Sequence, residues 1–391
     1  MKLAVSLALC ALCMSGECFS KKGVENTPEQ ENPPLSSTTT TIEEETVHCE
    51  SIPILSSYFH KNEFRLTGDF LYWQANEDGL HYSSGGDATF DSTGNLISIT
   101  QNIDDLNFKW HPGFRLGIGT FIKAWDGWDL YLNWTHIKGS GSGSTFSDLQ
   151  QGPNGAGEFA HPLIALWGLT EIFSPIQLTE ASSHWSLDYD TVDLELGREF
   201  WLGQAFSIRP NVGFRGAFID QNSKTSYLSL VMSGSSAVAP QNYTADNDFN
   251  AFGLRCGSNL NWHFAKNWNI LSQISTSLLY GNFDVKGVVN AIQNQMQNNN
   301  KPLEILLTRN YWRNRLEFEA GIGIQWNRFF HKGKRHVSLS ALYEITEWLQ
   351  MNEFILVEHI SSMSTTALQT LEPRGGTLGL QGVTLKADFH F

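Results

Sequence analysis

The chain ends in Val383-Thr384-Leu385-Lys386-Ala387-Asp388-Phe389-His390-Phe391, a stretch in which apolar and polar residues alternate without a break. Because successive side chains of a β-strand point to opposite faces, this strand has one apolar face and one polar, charged face. Such a strand lies between an apolar phase and water. A soluble domain seldom ends inside a strand, since termini tend to fray. The stretch therefore predicts the closing strand of a bacterial outer-membrane β-barrel.

The composition argues against two other classes of protein. A net charge of −14 is unfavourable for nucleic-acid binding, which needs a basic surface. The hydrophobic share of 41% is ordinary and the mean hydropathy is slightly negative, so helical membrane spans are not expected. The 391 residues include 13 Trp, 25 Phe and 34 Gly, a mix that favours strands, turns and interfacial aromatic belts.

The N-terminus has the features of a cleavable export signal over residues 1–20. Lys2 supplies the positive start, and Leu3 to Met14 form an apolar core of about the usual length. Cleavage is expected near Gly16 or Ser20. Residues 21–60 are rich in Pro, Thr and Glu without apolar periodicity, which predicts a disordered periplasmic arm. The barrel is predicted to occupy residues 61–391, in the outer membrane.

Alternation with a period of two dominates from Phe64 onwards and indicates about ten strands. They are predicted near residues 64–75, 109–122, 127–138, 185–199, 204–219, 249–264, 268–281, 310–326 and 335–348, and in the C-terminal stretch. The connections alternate between short ones (123–126, 200–203, 265–267, 327–334) and long ones (76–108, 139–184, 220–248, 282–309, 349–376). Short periplasmic turns and long extracellular loops are characteristic of transmembrane barrels.

The predicted fold class is an all-β, transmembrane, antiparallel up-and-down β-barrel. We expect about ten strands, or about 12 to 16 if the long loops contain further hairpins. A secreted β-sandwich is the rival, because its strands alternate too. Sandwich strands need only about five or six residues, whereas the runs here are long enough for the roughly 9–11 that cross a bilayer. Aromatic residues also gather at strand ends, as interfacial belts require: Trp110, Trp128, Trp201, Trp262, Trp268, Trp326 and Trp348.

Charged residues on the inward faces are the candidates for a function in the lumen. The pore-lining candidates are Arg65, Asp69, Arg115, Asp193, Glu195, Arg209, Arg215, Arg255, Arg313, Arg315, Glu317, Glu319, Lys386 and Asp388. In an aqueous lumen, facing charges of opposite sign create a transverse field that orients polar solutes. The alternative is that these charges pair with one another and fill a narrow barrel, since small barrels fill themselves with side chains. The sequence leaves both open.

Three of these arginines belong to a recurring motif: Gly113-Phe114-Arg115, Gly213-Phe214-Arg215 and Gly253-Leu254-Arg255. The middle residue is expected to face lipid, while Gly and Arg face the lumen. Glycine on the inner wall leaves room for a neighbour and eases curvature.

Loop 139–184 contains two unusual segments. Gly139 to Ser144 alternates Gly and Ser, which predicts a flexible hinge. His161 to Leu169 is too apolar for a free surface loop. We expect it either to fold into the mouth or lumen as a constriction, or to form an extra strand pair or a contact with a neighbouring subunit. The Asn- and Gln-rich tract 290–300 is predicted to be exposed outer loop.

Catalysis has little support in the sequence, and no cofactor or metal is expected. Histidines are scattered, HExxH and GxSxG are absent, and Gly117-Ile118-Gly119 and Gly321-Ile322-Gly323 lie in strands without a following helix. The expected partners are outer-membrane lipid and lipopolysaccharide, the barrel-assembly machinery and further copies of the chain in a homo-oligomer; nucleic acid is not one. Phe389 and Phe391 are predicted to be the C-terminal signal that the assembly machinery recognises.

Four passages carry a family resemblance. They are Gly68-Asp69-Phe70-Leu71-Tyr72-Trp73, Pro112-Gly113-Phe114-Arg115-Leu116-Gly117, Pro210-Asn211-Val212-Gly213-Phe214-Arg215 and the tail from Leu378 to Phe391. They resemble the major outer-membrane-protein-like pore family of chlamydiae and legionellae. The resemblance implies passive diffusion of ions and small hydrophilic solutes. Chlamydial members are cysteine-rich and disulfide cross-linked, whereas this chain would keep only Cys49 and Cys256 after signal cleavage, so a disulfide lattice is not expected.

The predicted function is therefore a non-enzymatic, porin-like pore in the bacterial outer membrane. The alternative is a non-conducting surface barrel that acts as an adhesin or a structural scaffold through its outer loops.

Overall fold

A computed structural model of the chain describes ten stretches of sequence. They are residues 64–91, 96–122, 127–147, 163–167, 177–230, 238–293, 301–330, 335–360, 368–373 and 375–391. The predicted signal peptide 1–20 and periplasmic arm 21–60 lie outside them. No helix in these stretches is long and apolar enough to span a membrane.

Ten strands form the wall of the molecule. They are β1 (Phe64–Glu77), β2 (Trp110–Phe121), β3 (Trp128–Phe146), β4 (Gln177–Arg198), β5 (Phe206–Leu230), β6 (Val238–Ala265), β7 (Trp268–Gln293), β8 (Lys301–Phe330), β9 (Arg335–Trp348) and β10 (Leu378–His390). Each of the ten predicted strands corresponds to one of them.

The ten strands close into a ring. Each strand pairs with its neighbours in sequence in antiparallel fashion, and β10 returns to pair with β1. The closing pair runs in unbroken register from Arg65 opposite His390 to Glu77 opposite Leu378. The sequence prediction of an antiparallel barrel of about ten strands is confirmed.

Six wall strands are much longer than predicted. Strands β3 to β8 contain 19, 22, 25, 28, 26 and 30 residues, whereas β1, β2, β9 and β10 contain 14, 12, 14 and 13. The predicted long loops 220–248 and 282–309 were therefore wrong, because most of these residues belong to β5–β8. The wall is tall along β4–β8 and short on the opposite side.

The connections contain further strands that stay outside the ring. Ser83–Phe90 pairs with Leu96–Asp104 and also with Leu163–Ala165, and Ile355–Ile360 pairs with Leu368–Pro373. The long loops thus do hide hairpins, but these do not raise the number of wall strands. Gly139 to Ser144 was predicted as a hinge and instead belongs to β3, where Ser142 pairs with Asn107 and His184.

The two faces of the wall differ as alternation predicted. Every strand exposes large apolar side chains on the outside, and together they form the apolar band: Phe70, Leu116, Leu132, Leu194, Phe214, Leu254, Leu278, Phe318, Tyr343 and Leu385 are one member from each strand. The band ends at Phe218 on β5 and Phe252 on β6, above which Asp220 and Asn250 face outward. Trp348, predicted for an interfacial belt, instead lies fully buried inside the barrel.

A charge placed in the apolar band should destabilise the barrel. Leu254→Arg, in the middle of the band, is expected to lower the free energy of unfolding by roughly 2–4 kcal/mol. Thr244→Arg lies on the same face of β6 but beyond the band, and it should behave like wild type. Urea titration in lipid vesicles measures both. Equal losses for the two variants would contradict the position of the band.

Candidate functional site in the barrel lumen

Charged side chains from nine wall strands meet inside the barrel. This charge network consists of Arg65, Asp69, Arg115, Asp129, Asp193, Glu195, Arg209, Arg215, Arg255, Glu317, Glu319, Glu344 and Asp388. Each member lies at an inward position of its strand, and cross-strand register brings the charges to similar heights. Buried charges are tolerated only when they are paired, and these pair extensively.

Arg215 on β5 is the centre of the charge network. Its Nε and Nη2 donate to the two carboxylate oxygens of Asp193 at 2.5 and 2.6 Å, a bidentate pair. Its Nη1 lies 2.6 Å from Glu317 and 2.7 Å from Glu319, both on β8. The Arg215 side chain is only 2% exposed and that of Glu317 is fully buried. One guanidinium thus joins β4 and β5 to a strand on another part of the ring.

Arg255 and Arg209 extend the network on either side. Arg255 lies 3.3 Å from Glu195 and 2.5 Å from Glu319. Arg209 lies 3.4 Å from Glu195, and its Nε donates to Asp129 at 2.9 Å. Glu195 is therefore shared by two arginines, so no ion pair in this group is independent of the others.

A second group of charges lies near β1. Arg65 donates from Nε to Asp388 at 2.9 Å across the β1–β10 seam. Arg115 lies 3.4 Å from Asp69 and 3.2 Å from Glu344 on β9. The Arg115–Glu344 pair crosses two intervening strands, and Glu344 also accepts hydrogen bonds from Gln273 and Thr384.

A cavity of about 70 Å³ remains within the network. A water molecule needs roughly 10–15 Å³ on this measure, so the cavity is large enough for several. The side chains that border it are almost all polar: Arg65, Arg115, Tyr131, Asn133, Asp193, Glu195, Arg209, Asn211, Arg215, Arg255, Asn259, Gln273, Ile274, Ser275, Glu319 and Lys386. The middle of the lumen is thus narrow and hydrophilic.

Packed aromatic side chains, some of them from connections, fill much of the outer part of the lumen. Trp167 from the segment Leu163–Trp167 stacks on Tyr243, with ring centroids 5.3 Å apart, and meets Phe354 edge-on at 6.5 Å. The Tyr243 hydroxyl donates to the carbonyl of Ile355, and Asn247 donates to that of Met351 at 2.8 Å. We call segments 163–167 and 351–355 the mouth plug. Of the alternatives for His161 to Leu169, constriction and extra strand pairing both occur in the described part, 163–167.

The predicted lumen residues fall into two groups. Arg65, Asp69, Arg115, Asp193, Glu195, Arg209, Arg215, Arg255, Glu317, Glu319 and Asp388 belong to the charge network, and Lys386 borders its cavity. Arg313 and Arg315 lie higher and pair instead with Glu353 of the mouth plug, Arg313 at 3.3 Å with 46% of its side chain exposed. Outward-facing Phe389 and Phe391 remain predicted assembly residues.

Three acidic partners lie outside the pore-lining candidates. Asp129 and Glu344 occupy inward positions of β3 and β9, as the alternation of the sequence predicts. Glu353 follows β9 in an irregular segment, and no periodic pattern marks it. Its carboxylate joins the mouth plug to β8 through Arg315.

The three Gly-x-Arg motifs mark close contacts between strands. A Cβ at Gly113, Gly213 or Gly253 would lie 2.7, 1.9 or 2.1 Å from a carbonyl oxygen of the adjacent strand. Only glycine allows this approach. These glycines therefore make room for the main chain of the adjacent strand. The motif lets neighbouring strands approach closely beside each arginine.

A buried carboxyl group lies at the end of β1, beside Gln221 of β5. Glu77 ends β1 above the apolar band and is 3% exposed. Burial raises its pKa well above the ordinary value, and the neighbouring Gln221 amide only partly opposes this. Trp185 donates to the Gln221 side-chain oxygen at 3.0 Å. The folded barrel therefore binds the Glu77 proton more tightly than the unfolded chain does.

Removal of the central arginine should destabilise the barrel strongly. Arg215→Met leaves three buried carboxylates without their shared partner, and we expect a loss of roughly 3–5 kcal/mol in the free energy of unfolding. Lys286→Met removes a cation from an exposed pair with Asp284 and should leave stability near that of wild type. Urea unfolding in detergent micelles compares the two. A small effect of Arg215→Met would show that the charge network contributes little to the free energy of unfolding.

Glu77 should make stability depend on pH. Because its folded pKa is raised, the favourable contribution is complete below its unfolded pKa of about 4.3 and is lost as pH rises through the folded value. Glu77→Gln should therefore exceed wild type by about 1–3 kcal/mol near pH 8 and lose this advantage near pH 4. Glu304→Gln, at an exposed position on β8, controls for charge. Parallel pH profiles for wild type and Glu77→Gln would contradict the assignment.

A closed ring of ten antiparallel strands, with an apolar band outside and charged side chains inside, defines an outer-membrane β-barrel. Residues 59–391 match the family described as "Legionella pneumophila major outer membrane protein precursor". The chain belongs to this family. The match covers every wall strand, and it agrees with the resemblance found in the sequence.

Several solved structures are similar to this chain at 8% sequence identity. The outer membrane protease OmpT from Escherichia coli has a TM-score of 0.35, with 85% of this chain and 97% of that chain covered. The CymD monoaromatic hydrocarbon channel has a TM-score of 0.30, with 88% and 93% covered. A Pseudomonas aeruginosa FadL homologue has a TM-score of 0.22, with 87% and 92% covered. No curated protein sequence matches the chain.

Proposed function

We propose that the barrel is a pore for the passive diffusion of ions and small hydrophilic solutes across the outer membrane. In this proposal the charge network is the narrowest level of the path and the mouth plug closes its outer end. The function involves no catalytic step.

The polar cavity is the observation that supports this proposal most directly. Six cationic side chains (Arg65, Arg115, Arg209, Arg215, Arg255 and Lys386) and three acidic ones (Asp193, Glu195 and Glu319) border it. Replacing buried ion pairs by packed apolar residues is often neutral or stabilising, so a barrel with a purely structural role has no need of them. Charges around a hydrated space suit an aqueous path with a transverse field.

The mouth plug is formed by connections between strands, which supports the proposal that it can move and open the pore. Trp167, Met351 and Phe354 belong to connections, whereas the charge network belongs to wall strands. Connections move more readily than a hydrogen-bonded wall. Withdrawal of these side chains would remove the part of the apolar layer that comes from the connections, without breaking the ring.

A second function is a non-conducting barrel that acts as an adhesin or a structural scaffold. The filled lumen favours it, because ion pairs such as Arg115–Glu344 cross the interior and the mouth plug covers them. The tall wall along β4–β8 would then be the part of the molecule that meets partners.

Conductance across planar lipid bilayers tests the pore. We expect refolded wild-type protein to give small, discrete channels, and Trp167→Ala combined with Phe354→Ala to give longer openings because the plug loses its stacked rings. Arg115→Gln removes a positive charge from the narrow level, so the reversal potential in a salt gradient should shift towards cation selectivity.

Two controls make this experiment decisive. Lys224→Gln removes a positive charge from an exposed outward position of β5 and should leave selectivity unchanged. Heat-modifiable migration on gels verifies that each variant is folded. If neither wild type nor the plug variant conducts, the pore proposal is wrong and the scaffold remains.

A further inference from the structure

A group of possible metal ligands lies on the outside of the barrel, away from the lumen. His136 on β3 and Asp188 and Asp190 on β4 each offer a ligand atom, and these atoms lie within 4.8 Å of one another. The Nδ1 of His136 is 3.1 Å from Oδ1 of Asp190 and 3.7 Å from Oδ1 of Asp188. The β3–β4 register sets this arrangement, because it pairs His136 directly with Asp190.

One ligand atom of the group lacks the partner that its position demands. Oδ1 of Asp188 is occluded from solvent and accepts no hydrogen bond, although it faces the His136 ring. A buried oxygen without a donor costs about 1–3 kcal/mol, and a cation bound at Oδ1 would offset that cost. The other oxygen, Oδ2, lies 2.9 Å from the ammonium of Lys138, which leaves Oδ1 available to an ion.

The surroundings hold the possible ligands in place. The indole of Trp134 donates to Oδ1 of Asp190 at 2.8 Å, which orients that carboxylate. Phe114 packs against both the Trp134 ring and the His136 ring, with centroid distances of 5.0 and 5.4 Å. Such outer contacts fix the orientation of metal ligands in known sites.

The wall beside the group carries unusual negative charge. Asp188 lies opposite Asp220, Asp220 opposite Asp248, and Asp248 opposite Asp284, on four successive strands. Like charges directly opposite one another destabilise a sheet, by roughly 0.2–1 kcal/mol for each pair. A bound cation next to Asp188 would relieve the first of these repulsions.

We propose that His136, Asp188 and Asp190 form a binding site for a divalent transition metal ion, with Zn²⁺ as the best fit. One imidazole nitrogen and two carboxylate oxygens suit zinc, at metal–ligand distances of about 2.0–2.2 Å. Mg²⁺ prefers oxygen ligands alone. Three protein ligands leave a coordination position for water or an external anionic group. The sequence predicted no metal, and this site is independent of the proposed pore.

The position of the site indicates what it would do. Trp134 belongs to the outward aromatic residues of the apolar band, and His136 is the next outward residue on β3. The ion would therefore lie just above the band, where it joins β3 to β4 outside the hydrocarbon. A metal bound to the folded state alone would stabilise this seam by mass action.

Calorimetric titration of the purified, refolded barrel with Zn²⁺ tests the site. We expect His136→Gln and Asp190→Asn each to weaken one binding event at least about tenfold, because loss of even an outer contact to a metal ligand costs roughly 10–100-fold. Zn²⁺ should also raise the unfolding temperature of wild type more than that of either variant.

His184→Gln is the matched control, since His184 lies exposed on the same face of β4 further along the strand. It should leave the binding event and the thermal shift unchanged. Millimolar Mg²⁺ should not displace the zinc. An affinity unaffected by His136→Gln, an equal loss in His184→Gln, or displacement by Mg²⁺ would each overturn the proposal, the last by reducing the site to a general acidic surface.

Discussion

Backbone hydrogen bonding inside hydrocarbon is the constraint on which the rest of this structure depends. A lipid bilayer offers no partner to an unpaired N–H or C=O group, so a sheet can cross it only as a closed ring. Here the ring closes where β1 pairs with β10 over the full length of both strands. Closure in turn forces every second side chain inward. Closure of the wall therefore brings the inward side chains of all ten strands into one enclosed space, where they must pack against or pair with one another.

The lumen meets this requirement in two different ways along its height. In the middle, arginines and carboxylates neutralise one another, and sharing makes the pairs interdependent: Arg215 serves three carboxylates and Glu195 serves two arginines. Nearer the outer mouth, aromatic rings such as Tyr189, Phe249 and Trp348 pack as they do in a soluble core. The polar cavity thus lies at one level, bounded above by an apolar layer that includes residues from the connections.

Much of the wall was predictable from the sequence, because lipid outside and polar groups inside give a strong period of two. The upper parts of β5–β8 were not. Beyond the apolar band both faces meet polar surroundings, and residues such as Gln221, Asn222 and Ser223 show no alternation. A strand that has water or a polar neighbour on each side has the composition of a loop. Its identity follows from pairing with the next strand, which a single sequence does not display.

In the lumen, too, the local sequence predicts one property of a residue and not another. Alternation placed the charged residues on the inner face, but the choice of partner depends on strand register and on the distance across the ring. Arg115 and Glu344 are separated by 229 positions in the chain and still pair. The group of His136, Asp188 and Asp190 depends in the same way on the register between β3 and β4.

The tall side of the wall affects how this protein can vary. Where β5–β8 rise above the membrane, each residue is locked between two neighbours, and insertion or deletion of one residue would exchange inner and outer side chains along the remainder of the strand. Variation in length should therefore be excluded from this region, while exchange of outward side chains is permitted. An antibody that binds this side would recognise residues from several strands at once and would lose its epitope when the protein unfolds.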